Sequence, residues 1–263
     1  MSEMNPYQQP TSDVAVPPQV GELVIGTAKK VSVGDAMSWF GQGKAMLAGN
    51  WGVMIGALVV LMLLNAAVQF VPFIGGLAAM FLMTLLYAGL VKMFYRLDNE
   101  GSVEFSDLFA GFSEKTGPLV ILALLQLAVY VGIFIVAIVL LFLSIGFDVS
   151  MLNAMEAGRV PDVGIGGGAI ALAGLIMFLF LMAAGFLFYF SIPLVFLGNM
   201  GPGEALGMSF NACLKNLLPL ILYGLVALVL VVVAMIPFFL GLLLAGPLLA
   251  GAYYASFKQV FTE

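Results

Sequence analysis

An all-α integral membrane fold is predicted: six transmembrane helices as three hairpins, each preceded by a short cytoplasmic interfacial amphipathic helix. Three observations carry this expectation. Residues 53–70, VMIGALVVLMLLNAAVQF, are an uncharged run of the length that crosses a hydrocarbon core as a helix. Such runs recur along the chain. Finally, 63% of the 263 residues are hydrophobic and only 9% charged, against about 25% charged in a soluble domain. A water-soluble core of this size has no use for so much apolar surface, but a bundle facing lipid does.

The composition also excludes several functions. The net charge of −5 is spread thinly between apolar runs, and no basic stripe exists to bind nucleic acid. There is no histidine, the commonest metal ligand and the usual proton shuttle near neutral pH. Cys213 is the single cysteine, so no intrachain disulfide and no cysteine-rich metal site can form. No cofactor is expected. The first 30 residues lack the apolar core of a signal peptide, so the first membrane helix is expected to act as its own insertion signal.

Residues 1–31 read as a disordered cytoplasmic tail, because Pro6, Pro10, Pro17 and Pro18 favour extended backbone and little can be buried. Residues 32–263 read as one membrane domain. In residues 34–50, Ala36, Trp39, Phe40, Gly43, Met46 and Leu47 share one helical face, which predicts an interfacial helix with Trp39 at headgroup depth. Membrane helices follow at about 51–70 and 75–95, joined by the turn VPFIGG. A second amphipathic piece places Phe105, Leu108, Phe109 and Phe112 at helical spacing. Helices at about 118–145 and 169–197 come next, separated by the polar, glycine-rich loop 147–167, with a kink expected at Pro193. A third piece, residues 203–215, puts Leu206, Phe210, Cys213 and Leu214 on one face. Helices at about 217–236 and 240–257 complete the six, joined by IPFFLG.

The two turns match, and other features repeat with them. YAGLVKMF at 87–94 parallels YYASFKQV at 253–260, with Tyr and Lys five apart in both. GDAM at 34–37 parallels GEAL at 203–206, and each leads to an asparagine, Asn50 or Asn216, before a membrane hairpin. Three repeat units, at about 34–100, 101–200 and 201–263, are therefore expected. With the N-terminus inside, eight of the nine basic residues fall on the cytoplasmic side and only Arg159 outside, as the positive-inside rule requires.

At these residues the chain resembles a known family. The marks are NPY in the tail, Trp39–Phe40, and the closing pattern EALGMSFNACLKNLLPL…YYASFKQVF. It is similar to six-helix proteobacterial inner-membrane proteins of uncharacterised function, named only by locus tag, and more distantly to the membrane domain of some glycerophosphodiester phosphodiesterases. The resemblance implies a bacterial inner-membrane location, with no activity and no functional residues to carry over.

The residues themselves show no nucleophile–base pair, metal cluster or phosphate loop, and the six apolar cores carry no charge, so a non-enzyme is expected. Asn65 and Gln126 are amides inside the spans. They read as interhelical hydrogen bonds, or as the lining of a polar pocket. Trp39, Tyr87, Lys92, Tyr253 and Lys258 read as interfacial anchors or lipid contacts. Gly52 with Gly56, and Gly246 with Ala250, read as close helix packing. The expected partners are membrane lipids and either another membrane protein or a second copy of the chain. The expected role is a scaffold or envelope accessory factor; the alternative is a transporter or lipid-handling protein.

Overall fold

The computed structural model describes residues 23–72, 74–145, 156–158 and 167–262. Most of the 147–167 loop, with Arg159, lies outside them, as do residues 1–22. Among the described residues the fold is all helical. In chain order the elements are α1 (Asp35–Met46), α2 (Trp51–Gln69), α3 (Gly75–Glu100), a 3-10 helix (Phe105–Phe112), α4 (Thr116–Ile145), α5 (Gly167–Phe188), α6 (Ser191–Phe196), α7 (Pro202–Lys215), α8 (Leu217–Met235) and α9 (Leu242–Phe261).

Among the described residues five stretches are long and apolar enough to cross a membrane: Trp51–Gln69, Gly75–Glu100, Thr116–Leu143, Ala171–Phe196 and Leu217–Met235. At the sixth expected place, α9 has 20 residues, about 30 Å of helix. Its second half is too polar to qualify, since it carries Tyr253, Tyr254, Ser256, Lys258 and Gln259. Other elements engage these groups: Trp39 of α1 donates its indole N–H to Gln259, and Lys258 pairs with Asp98 of α3 at 2.6 Å.

The protein core sits at one end of the bundle, the end where Lys92, Lys215 and Lys258 lie. There α4 buries Leu119, Leu122 and Ala123, yet none of its residues from Leu124 to Leu143 is buried. In α5, likewise, no residue from Ala171 to Ala183 is buried. These distal halves expose side chains such as Phe134 and Phe178 on more than one face. Only hydrocarbon is a favourable solvent for such a surface.

At the charged end three short elements stand where three amphipathic pieces are expected, but they dock on protein. α1 packs on α9, the 3-10 helix on α3, and α7 on α5 and α6. α2 packs against α3, α4 against α5, and α8 against α9. Taken by the expected units, each short element sits on the later helices of the unit before it. The first, α1, sits on α9 of the last.

Two of these contacts need glycine. A Cβ on Gly43 would stand 2.6 Å from the Ala252 nitrogen, and one on Gly251 would stand 2.9 Å from the Gly43 Cα. A Cβ on Gly89 would stand 1.9 Å from the Leu108 carbonyl oxygen, and one on Gly111 would stand 2.2 Å from that of Leu85. Gly52, expected to pack closely, has nothing within 4 Å, and Gly56 meets only the Phe105 ring at 4.0 Å. Gly246 of α9 does pack closely, a Cβ there standing 2.9 Å from the Leu58 Cδ1 of α2. Backbone-to-backbone contact is thus at the short elements, while α2 leaves its own glycines uncovered.

The buried faces also differ from those expected. In a 3-10 helix, with about three residues per turn, Leu108 and Gly111 share one edge and Phe109 and Phe112 the next. Leu108 is buried, whereas Phe105, Phe109 and Phe112 are 41%, 39% and 43% exposed. α7 buries Ala205, Ser209, Ala212 and Cys213 and leaves Leu214 exposed.

The expected tail ends early, because residues 23–31 form an ordered strap. Gly26 and Lys29 donate backbone N–H groups to the carbonyls of Phe261 and Val260 at 2.8 and 2.9 Å. Asn216, fully buried, accepts the Val31 N–H at 2.7 Å and donates to the Lys29 carbonyl at 2.8 Å. The strap ties the start of the domain to its end.

Gly89→Ala and Gly43→Ala should each destabilise the protein by about 1–3 kcal/mol through overpacking, while Gly52→Ala should not. Thermal unfolding in one detergent checks this. Equal melting temperatures for all three would remove the case for backbone contact at the short elements.

Candidate functional site

The site begins at a broken helix. Pro193 has no N–H, so the Tyr189 carbonyl four residues earlier has no helical partner. The Tyr253 hydroxyl on α9 donates to that carbonyl at 2.5 Å. One turn earlier the Ser209 hydroxyl of α7 enters the helix ladder. It accepts the Phe190 N–H at 2.9 Å and donates to the Phe186 carbonyl at 2.7 Å. An inserted hydroxyl beside a proline is a sufficient cause for the corner between α5 and α6. Cys213 contacts the same Phe186 carbonyl at 3.7 Å, and burial pushes its thiol up to about 12. It is therefore a neutral, unreactive thiol at physiological pH.

The corner, with α3, α8 and α9, encloses an open-sided cavity of about 530 Å³, within the usual size range of ligand pockets. Its wall is almost wholly apolar and aromatic. Five of the eight tyrosines of the chain line it: Tyr87 from α3, Tyr189 from the corner, Tyr223 from α8, and Tyr253 and Tyr254 from α9. Phe40 stacks on Tyr223 at 5.3 Å, and the Trp39 ring lies 6.1 Å from it. The Tyr189 and Tyr253 rings meet edge to face at 5.3 Å.

Three of these hydroxyls have structural partners. Tyr253 donates to Tyr189 as above, Tyr223 donates to the Leu249 carbonyl at 3.0 Å, and Tyr254 donates to Asp98 at 3.4 Å. Two do not. The Tyr189 hydroxyl is buried without a well-formed hydrogen bond among the described residues; the neighbouring Ser256 hydroxyl donates to the Tyr253 carbonyl at 2.7 Å and keeps its lone pairs towards Tyr189. The Tyr87 hydroxyl also makes no hydrogen bond among them, on a side chain 45% exposed. Tyr87 lies about 18 Å along α3 from Gly75 and about 8 Å short of Lys92, inside the apolar stretch.

The residues singled out in the sequence fall elsewhere or differently. Asn65 is half-buried on α2 and does not line the cavity. Gln126 donates its amide to the Tyr130 hydroxyl of its own helix at 3.3 Å, so among the described residues it bridges no pair of helices. Trp39, expected at headgroup depth, is fully buried, because α1 lies on α9 rather than on lipid. Lys92 pairs with Glu114, and with Asp107 at 3.6 Å, which ties the 3-10 helix to α3. Tyr87 and Tyr253 do belong to one site. Tyr189, Tyr223, Tyr254 and Ser209 went unrecognised in the sequence; tyrosines in the middle of apolar runs are the signal that could have found the first three.

Comparison with family models, curated proteins and solved structures finds no match for this chain.

Ser209→Ala leaves the Phe190 N–H without a partner and the Phe186 carbonyl with only the Cys213 thiol in an apolar setting, and should destabilise by about 1–3 kcal/mol. Gln126→Leu, which loses only a bond within one helix, should change stability by less than about 0.5 kcal/mol. A larger loss for Gln126→Leu than for Ser209→Ala would contradict this assignment.

Proposed function

We propose that this chain is a non-catalytic inner-membrane protein that holds a lipid in the tyrosine-lined cavity, with six spans in three hairpins and both termini in the cytoplasm. One observation carries the reading. A cavity of about 530 Å³ lies inside a bundle whose outer surface is hydrocarbon-facing, and its wall is apolar with tyrosine hydroxyls around it. A scaffold needs no such space. α9 is taken as the sixth span, its polar half shielded by α1 and α3. The basic residues then gather on the cytoplasmic side, with the short elements forming a collar there. The polar pocket at Asn65 and Gln126 is replaced by the cavity at Tyr87 and Tyr253. The scaffold reading keeps one specific support: the charged end is sealed by Phe94, Phe190, Phe257 and Phe261, each at most 1% exposed, a rigid platform for a partner protein or a second copy.

Two measurements test the proposal. A maleimide added outside intact cells should label cysteine at Glu156 and miss cysteine at Val20, and the buried Cys213 should give no background. Labelling at position 20 would reverse the orientation. Native mass spectrometry of the detergent-purified protein should show a bound lipid that Ala250→Leu, which narrows the cavity, removes. Retention of the same lipid in that variant would place it on the outer surface.

A further inference from the structure

We infer that the cavity takes an uncharged lipid, a long hydrocarbon chain ending in a hydroxyl or carbonyl, and not a phospholipid. The inference rests on the lipid-binding reading and narrows it to a chemical class. Two facts carry it, one about hydrogen bonds and one about charge.

An unpaired phenol is tolerable at a wet surface. With α3 read as a span, Tyr87 lies inside its apolar stretch, where an unmet donor has no water to turn to. Tyr87 lines the cavity and is its one half-exposed tyrosine, so it marks the mouth. Tyr189 supplies a second unpaired hydroxyl in the same wall. The Tyr87 hydroxyl lacks any acceptor, and a ligand carrying one hydroxyl, ester or ketone oxygen at the end of an apolar body supplies it.

A phosphate-bearing head finds nothing comparable. No ionised side chain lines the cavity. Beside it, Asp98, which accepts from the Tyr254 hydroxyl, and Lys258 are paired with each other at 2.6 Å. On α3, Lys92, between the lining residues Val91 and Phe94, is paired with Glu114 and Asp107, and Arg96 with Glu100 and Asp107. An anion drawn into the cavity would meet no cation among the described residues of its wall, and a buried unpaired charge is strongly unfavourable.

The chain carries its own reporter. Of its two tryptophans, Trp39 is fully buried, with its ring 6.1 Å from that of Tyr223 in the cavity wall. Bromine in the cavity can quench Trp39, while bulk lipid is kept away by the protein. The Trp51→Phe variant, leaving Trp39 alone, is reconstituted in phosphatidylethanolamine vesicles. It is titrated with a long-chain alcohol brominated mid-chain or, separately, with phosphatidylglycerol brominated at the same depth. The alcohol should quench saturably and the phosphatidylglycerol should not. Tyr87→Phe should shift the midpoint about three- to tenfold, as expected for one hydrogen bond, with unchanged melting, since that hydroxyl bonds nothing in the protein. Ala250→Leu should abolish quenching; an unaltered Trp39 emission spectrum without quencher shows that α1 is still docked, and Ala250→Val serves if it is not. Equal quenching by both lipids, or an unmoved midpoint in Tyr87→Phe, overturns the neutral-lipid inference and leaves lipid binding standing. Quenching by neither overturns both.

Discussion

A backbone amide or carbonyl that leaves the helix ladder inside hydrocarbon has no water to bond. This constraint governs the corner between α5 and α6. Pro193 frees one carbonyl, the bend frees another carbonyl and an amide, and the side chains of Tyr253 and Ser209 take all three. Those two residues come from α9 and α7, so the repair of one helix fixes the position of two others. The cavity follows from the same geometry. Tyr253 cannot turn to fill the space it lines, because its hydroxyl is held at 2.5 Å by the corner.

The charged end is assembled by a different means. Its short elements are too brief to be stable alone, and each is held by backbone contact or by polar pairs. Asp107, 6% exposed, shows how. Its carboxylate accepts from Arg96 at 2.7 Å and from the Glu104 N–H at 3.0 Å, and Lys92 lies 3.6 Å away. A buried carboxylate with three such neighbours is satisfied, and it orients the 3-10 helix so that Leu108 and Gly111 meet α3. Lysines that look like lipid anchors in the sequence are thereby spent on tertiary structure. The cavity beside them has no cation among the described residues of its wall.

What was legible in the sequence follows from which forces act locally. Apolar runs report on the surrounding solvent directly, so five long helices stand where they are expected, and Pro193 marks the corner because its missing donor is a property of one residue. The three amphipathic pieces were legible as elements but not as contacts. A face of Ala36, Trp39, Gly43 and Leu47 is apolar whether it meets lipid or α9, and only Gly43 against Gly251 decides between them. The site was less legible still. Tyr87 and Tyr253 were noticed through the repeat and read as anchors. Tyr189 and Tyr223 acquire meaning only when three distant segments converge, and Ser209 looks like any helical serine until Phe186 and Phe190 stand beside it. Asn65 and Gln126 drew notice as amides in apolar helices, yet Gln126 needs only Tyr130, four residues along its own helix.

The size of the cavity carries its own argument for an occupant. Unfilled apolar space forfeits the dispersion contacts of the atoms that line it. The cavity, about 530 Å³ and open on one side, would forfeit them along its wall if nothing entered. A protein holding such a space empty would gain by collapsing onto it. Here collapse is opposed on three sides: Tyr253 is pinned to the corner, Tyr223 to the Leu249 carbonyl, and Tyr254 to Asp98. The remaining way to remove the cost is to fill the space from outside. On the proposed lipid-binding reading, chain methylenes entering beside Tyr87 would exchange one apolar setting for another, so that dispersion contacts and a single hydrogen bond would decide which lipid stays. Such selectivity would be modest in affinity and sharp in charge, because a hydrocarbon chain would enter at little cost while an anionic head would find no partner in the wall.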